Sequence, residues 1–357
     1  IDSLSFPNSL NMKKYHLGIN LGHDRSAAIV SDGEIKVAIQ QERLDRSKHS
    51  LGYLHQFIGD EKNIQLPWES INYCLKELDI NLEDLSTITA NMPGNDHSAM
   101  ILKRSLPKNI SEKIKIIPSH HLSHAYSAYW PSGFDKSVIL AIDASGSTIN
   151  NNTESYSIYT AKNNSIELLH SEKTQSHLSQ LSTLGFLYEY ITKKADFTTK
   201  LSSKLEVPEA GKLMGLASYG KIQKNWNKWF RNQKDDFQTD IAAYDIFLEV
   251  ESLTKAYDNG NGKAYLRPYI VDLAFKIQQE LEQVMIHLIR TAVHKTGINK
   301  LCIAGGVGLN SVSNYKILRE LKLENIFVFP AAGDSGIAAG NALWAYQEFE
   351  TNIKRTE

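Results

Sequence analysis

The chain has 357 residues, 42% of them hydrophobic and 22% charged, the make-up of a globular protein with room for two lobes rather than one small core. Its 39 basic and 40 acidic residues leave a formal charge of −1, so no global field recruits nucleic acid and no nucleic-acid partner is expected. No apolar run approaches the ~20 residues that cross a bilayer, and no membrane partner is expected.

Residues 1–11, ahead of Met12, read as a lead-in outside the fold. The stretch YHLGINLGHDRSAAIVSDGEIKVAIQQER then reads as strand, glycine turn, strand, SDGE turn and a third strand ending at Gln41, a β-meander. Its first turn, at Gly22, presents His23, Asp24 and Arg25: a base, a carboxylate and a cation, or simply a polar hairpin turn. QQERLDRSKHS follows, with Arg43, Arg46 and Lys48. Such a run is commonly a solvated loop, yet guanidinium groups beside an amide-rich turn also suit a phosphate or carbamate.

PSHHLSHAYSAYW places His120, His121 and His124 in five positions. As a helix it stacks His120 and His124 on one face, able to grip one metal ion, with His121 turned about 100° away. A packed core histidine with solvated neighbours fits the triplet equally. The plan of the first meander returns from Ser137, with a strand to Ile142, the turn DASGS carrying Asp143, Ser145 and Gly146, a strand around Tyr156 to Thr160, the turn KNNS and a third strand. A duplication at this spacing implies two similar lobes, residues 12–135 and 136–357, whose glycine turns present N–H groups to something between them.

HLSQLSTLGFLYEYITKKADF has helical spacing, and VPEAGKLMGLASYG, with Glu209, Lys212 and Gly215, is punctuated by glycine. The region around 221–268 lacks strong periodicity and reads as an insertion. YIVDLAFKIQQELEQVMIHLIRTAVHKTG is the clearest helix, stopped by Gly297. Two strand–loop–helix units close the chain. AGGVGLN offers Gly305, Gly306 and Asn310, glycines that let a ligand approach the backbone or let helices pack. AAGDSG offers Asp334, an N-cap or a third ligand beside the histidine pair.

Taken together, GINLGHDRSAAIV, QQERLDRSKHS, HHLSHAYSAYW, DASGS, LGFLYEYIT, GKLMGLASYG, AGGVGLNSVSN and AAGDSGIAAG resemble the N-terminal domain of the O-carbamoyltransferases of antibiotic, toxin and nodulation-factor biosynthesis. The resemblance extends more distantly to the tRNA threonylcarbamoyladenosine transferases. It implies an α/β, two-lobed actin-like or sugar-kinase-like ATPase fold. It implies a divalent metal, iron in the first instance, on His120, His124 and Asp334. Lys212, Gly215, Gly305, Gly306 and Asn310 would form the adenylate wall, with Ser145 and Gly146 at the phosphate side. His23 and Asp24 would stand beside the carbamoyl group, His23 as the base, while Arg43, Arg46, Lys48 and His121 would face substrate.

The implied reaction makes carbamoyl-adenylate from carbamoyl phosphate and ATP and passes its carbamoyl group to a hydroxyl of a small molecule or glycan. The acceptor pocket is expected around Phe197 to Val207 and Asn232 to Pro268. Family members continue into a second domain that forms the carbamoyl-adenylate. Because this sequence stops at Glu357, the expectation is that this domain has been removed or is supplied by another protein, or that a preformed donor is used. A homodimer is compatible with the family. The competing readings are a sugar kinase or other ATPase on the same fold, which would use an acidic base and Mg²⁺ rather than a histidine pair, a tRNA-modifying paralogue and a non-catalytic nucleotide-binding partner subunit.

Overall fold

The computed structural model describes residues 13–51, 65–175, 183–201, 206–233, 236–257, 262–351 and 353–355. Two sheets carry the fold, and they repeat one topology. In the first, β1 (Tyr15–Asn20), β2 (Ser26–Ser31) and β3 (Glu34–Gln40) form the expected meander, and β4 (Leu85–Asn91) and β5 (Ile114–Ile116) add in parallel, giving the order β3-β2-β1-β4-β5.

The second sheet uses β6 (Lys136–Ile142), β8 (Asn152–Lys162) and β9 (Ser165–Gln175) as its meander, with a short β7 (Thr148–Ile149) on the side of β8. Parallel β14 (Lys300–Ala304) and β15 (Asn325–Val328) complete it on the other side of β6. Reading from β9 to β15 therefore reproduces the order of the first sheet strand for strand. The internal duplication and the two-lobed actin-like, sugar-kinase-like architecture hold.

In each half a helix follows the fifth strand, and these two equivalent helices fill the space between the sheets. His120–Tyr129 packs on β6 and β14 of the second sheet, whereas Ile337–Phe349 packs on β1, β2 and β4 of the first. Each half thus lends its closing helix to the other sheet. Ile337 to Tyr346 is buried without a break, as a helix enclosed on every side requires. Close approach is allowed by glycine: a Cβ on Gly340 would lie 1.9 Å from the Ser123 carbonyl oxygen, and one on Gly18 1.9 Å from that of Ala338.

The helix Pro268–Thr296 runs the full expected length, opened by a proline at its first turn and closed by Gly297 at φ 68°. It anchors the larger core with Leu184–Lys194 and Ala210–Ala217. The weakly patterned region is more ordered than expected. It forms the hairpin β12 (Phe230–Asn232) with β13 (Thr239–Ile241) and the helix Ala243–Tyr257, whose Ile246 and Val250 join that core. Their four-residue spacing is the signal, diluted by the polar residues on either side. Cys74 and Cys302 are buried thiols outside any disulfide.

Candidate functional site

Four donor groups converge where the carboxyl ends of the strands meet the amino end of the histidine helix. Ser119 caps that helix by accepting from the Leu122 N–H at 3.1 Å, and the His120 N–H donates to the Ser147 hydroxyl at 2.8 Å. The first turn then directs both Nε2 atoms the same way, with the His120 and His124 ring centroids 4.8 Å apart. His124 Nε2 lies 3.2 Å from Asp143 Oδ2 and 3.5 Å from Asp334 Oδ1; His120 Nε2 lies 3.9 and 3.5 Å from the same atoms. The four ligand atoms all fall within 4.8 Å of one another.

Asp143 is the member that sequence reasoning assigned to a turn. Its Oδ1 accepts from the Ala144 N–H at 2.7 Å and its Oδ2 from the Gly306 N–H at 3.1 Å. The two glycine motifs DASGS and AGGVG therefore meet on one carboxylate. The signal was an apolar strand, SVILAI, ending in an acid. Asp334 is not an N-cap: its carboxylate accepts no cap hydrogen bond, and the last helix begins after Gly336.

These residues fit a cation. His120 Nε2, His124 Nε2 and Asp334 Oδ2 are buried from solvent with no hydrogen-bond partner among the described residues, and buried polar atoms of this kind require one. Burial disfavours the imidazolium of His120, but Asp334 and Asp143 outweigh it and raise the ring to about 10. Burial likewise opposes ionisation of Asp143 and Asp334, yet the imidazoles keep both carboxyls well below their usual range. A divalent cation would replace the imidazolium protons and leave neutral imidazoles as ligands.

His23 and Asp24 sit beside this cluster. His23 Nδ1 is 2.7 Å from Asp24 Oδ2 and His23 Nε2 is 3.3 Å from Asp334 Oδ2. His49 Nδ1 meets the other Asp24 oxygen at 3.0 Å. Burial works against the Asp24 anion, but its two imidazoles draw it down to about 2. A carboxylate facing both Nδ1 atoms fixes the proton of each there, which leaves His23 Nε2 as the ring's base. Burial opposes its protonation as well, and Asp334 and Asp24 prevail and raise it; its ring is 42% exposed, so solvent damps that shift.

Asn20 was not singled out from sequence, yet it holds this corner. Fully buried at the end of β1, its amide donates to the carbonyls of His23 (2.8 Å), Asp24 (3.1 Å) and Asp334 (2.9 Å).

The remaining residues divide. Gly305, at φ 91°, has no room for a Cβ, which would lie 2.1 Å from the Ile142 carbonyl oxygen. Asn310 caps Ser311–Leu321 and bonds Gln278 at 2.8 Å. Ser145 is half-buried in its turn, and Gly146 accepts from the Gly94 N–H at 2.9 Å, tying the two halves together. Lys48 reaches Glu209 at 3.3 Å, and Glu209 also pairs with Lys212, so the basic loop meets the EAGKLMG motif across the molecule. Gly215 is exposed on that helix.

Arg43 and Arg46 stay at the surface, Arg43 beside Glu42 and Gln40. His121 is wholly buried, its Nδ1 2.8 Å from the Ser157 hydroxyl and its ring behind Gly146; contact with a substrate would run through that turn. Part of the expected acceptor region, residues 202–205, 234–235 and 258–261, lies outside the described residues.

The family described as Carbamoyltransferase N-terminus matches residues 87–343, well over half of the chain. The chain belongs to that family. Among curated relatives, this carbamoyltransferase-family chain is 30% identical to an uncharacterized protein of Synechocystis over 92% of its own length and 56% of the relative's. It is 29% identical to the nodulation protein NolNO of Sinorhizobium fredii, over 93% and 48%. It spans about half the length of these relatives. Among solved structures, T. kodakarensis HypF is similar at a TM-score of 0.58 and 12% identity, over 94% of this chain and 48% of that one. A 2-hydroxyglutaryl-CoA dehydratase component of Acidaminococcus fermentans is similar at 0.51 and 16%, over 94% and 98%. Both likenesses concern the fold.

Proposed function

We propose that this chain transfers a carbamoyl group from carbamoyl-adenylate to a hydroxyl of a small-molecule or glycan acceptor, using a divalent metal, iron(II), held by His120, His124, Asp143 and Asp334. The observation that carries the reading is the convergence of these four ligand groups, with both imidazole Nε2 atoms buried and unpartnered among the described residues, in a chain of this family. A donor set of two imidazoles and two carboxylates suits a first-row divalent ion with positions left for phosphate oxygens. When bound, the metal supplies Lewis acidity that neutralises charge on the AMP leaving group.

The chain's own residues do the rest. Once Asp334 is engaged by a cation it no longer holds a proton on His23, and the ring, its Nδ1 held by Asp24, takes the proton of the acceptor hydroxyl on Nε2. The hydroxyl oxygen bonds to the carbamoyl carbon, the bond from that carbon to the phosphate oxygen breaks, and AMP departs. Gly305, Gly306, Asn310, Lys212 and Gly215 line the nucleotide side, and Ser145 and Gly146 the phosphate side. Arg43, Arg46 and Lys48 supply positive charge at the rim, while His121 supports the Gly146 turn. Formation of carbamoyl-adenylate from carbamoyl phosphate and ATP is assigned to a separate domain or protein.

The test supplies synthetic carbamoyl-adenylate to the metal-loaded chain with a panel of hydroxyl acceptors and follows the carbamoylated product by mass spectrometry. Transfer is expected, with kcat about 10²- to 10⁴-fold lower in His23→Ala. Nucleotide binding without transfer to any acceptor would instead identify a non-catalytic partner subunit.

A further inference from the structure

The carboxyl ends of β1 and β4 each finish on a buried asparagine, and parallel register pairs them: Asn20 with Asn91. Uncharged amides fully withdrawn from water at a strand end must be hydrogen-bonded. The bonds made by Asn91 lead to the metal cluster. Its Oδ1 lies 3.0 Å from His120 Nδ1, and its Nδ2 donates to Asp96 Oδ2 at 3.2 Å. Asp96 in turn accepts from the Ser98 N–H at 2.8 Å, which fixes the carboxylate at the start of the helix Ser98–Ser105.

Asp96 determines which end of the amide faces the histidine. A flipped Asn91 would set its carbonyl oxygen against a carboxylate oxygen, acceptor against acceptor, so the orientation with Oδ1 toward His120 is the one that satisfies both neighbours. An acceptor at Nδ1 places the ring proton there and leaves Nε2 as the ligand atom. By contrast His124 Nδ1 has no hydrogen-bond partner among the described residues. His120 is thus the histidine whose ring is held from outside the cluster, through an element of the first half of the chain.

We infer that Asn91 is a positioning residue of the metal site, turning His120 Nε2 toward Asp143 and Asp334 through a chain that runs from Asp96 to Asn91 to His120. The inference rests on the assignment of His120, His124, Asp143 and Asp334 as metal ligands. Partners of ligating histidines commonly carry about 10- to 100-fold in metal affinity, and Asn91→Leu is expected to weaken Fe(II) binding by that factor. The double exchange N91D/D96N keeps an acceptor at 91 facing His120 and reverses the 91–96 bond, so that the amide at 96 donates to the carboxylate at 91, with the total charge unchanged. It is expected to return the affinity to within about threefold of wild type.

The experiment titrates each purified, metal-free variant anaerobically with Fe(II) alone, by calorimetry, alongside thermal unfolding. Asn91→Ser, too short to reach His120, replaces the leucine variant if that chain does not fold, with the same expected loss. Wild-type affinity in the variant lacking the amide would overturn the inference. So would a double exchange as weak as the single variant while unfolding at the wild-type temperature. A wild type that binds no Fe(II), or whose binding survives His124→Ala, sinks the metal assignment itself and the inference with it, and so marks the two failures apart.

Discussion

Replacing Gly340 by alanine tests how the two exchanged helices hold the site. The added Cβ would meet the Ser123 carbonyl oxygen at 1.9 Å and its carbonyl carbon at 2.8 Å. Both are backbone atoms of a helix already packed on the second sheet, so no side chain can swing aside. The helices must part by about 1.5 Å to reach ordinary contact, and overpacking of this kind costs about 1–3 kcal/mol. Alanine recovers about 1 kcal/mol of helix propensity over glycine. The clash prevails because its partner is backbone, leaving a net loss of about 1 kcal/mol.

Two readouts follow. By calorimetry, Gly340→Ala should lower Tm by about 1–3 °C, scaled from the behaviour of large domains. Because Ser123 lies between His120 and His124, and its hydroxyl donates to Asn341 Oδ1 at 2.7 Å, the separation should also weaken metal affinity by more than about threefold. A variant with unchanged or higher Tm and unchanged affinity would refute the close-packing account.

Asp143→Asn should lower metal affinity by more than about 100-fold, beyond the usual effect of an indirect partner, with the fold intact by circular dichroism; affinity within threefold of wild type would restore Asp143 to a turn residue. His16 supplies a pH test. Burial, aided by Lys14, depresses its imidazole to about 4 despite Glu350 at 3.3 Å. The unfolded chain takes up the proton near 6.5 and the folded chain does not, so stability is complete above pH 6.5 and falls as pH drops toward 4, by about 3 kcal/mol. His16→Gln should flatten that slope in urea unfolding at pH 4.5 and 7.5, and an unaltered slope would contradict it.

Much of this was legible in the sequence. The two meanders could be seen because each strand alternates or runs apolar between turn signals, and Pro268–Thr296 because its pattern persists to a glycine stop. His120 and His124 declared themselves by one-turn spacing. Asp143 did not, since an acid in DASGS looks like a local turn; only the parallel pairing of β6 with β14 brings Gly306 onto it. Asn20 and Asn91 were silent for the same reason. An asparagine after an apolar strand acquires meaning only when register sets the two side by side and a helix from beyond β5 arrives above them. The exchange of closing helices between sheets leaves no periodic trace, because either sheet would accept the same apolar faces.

The most direct test of the account is elemental analysis of the chain purified without chelators, as wild type and as His120→Ala, His124→Ala and Asp334→Ala. The account predicts near-stoichiometric divalent metal, iron foremost, in the wild type and its loss in all three variants. Metal absent from the wild type, or retained in all three variants, would contradict it and return the histidines to the core.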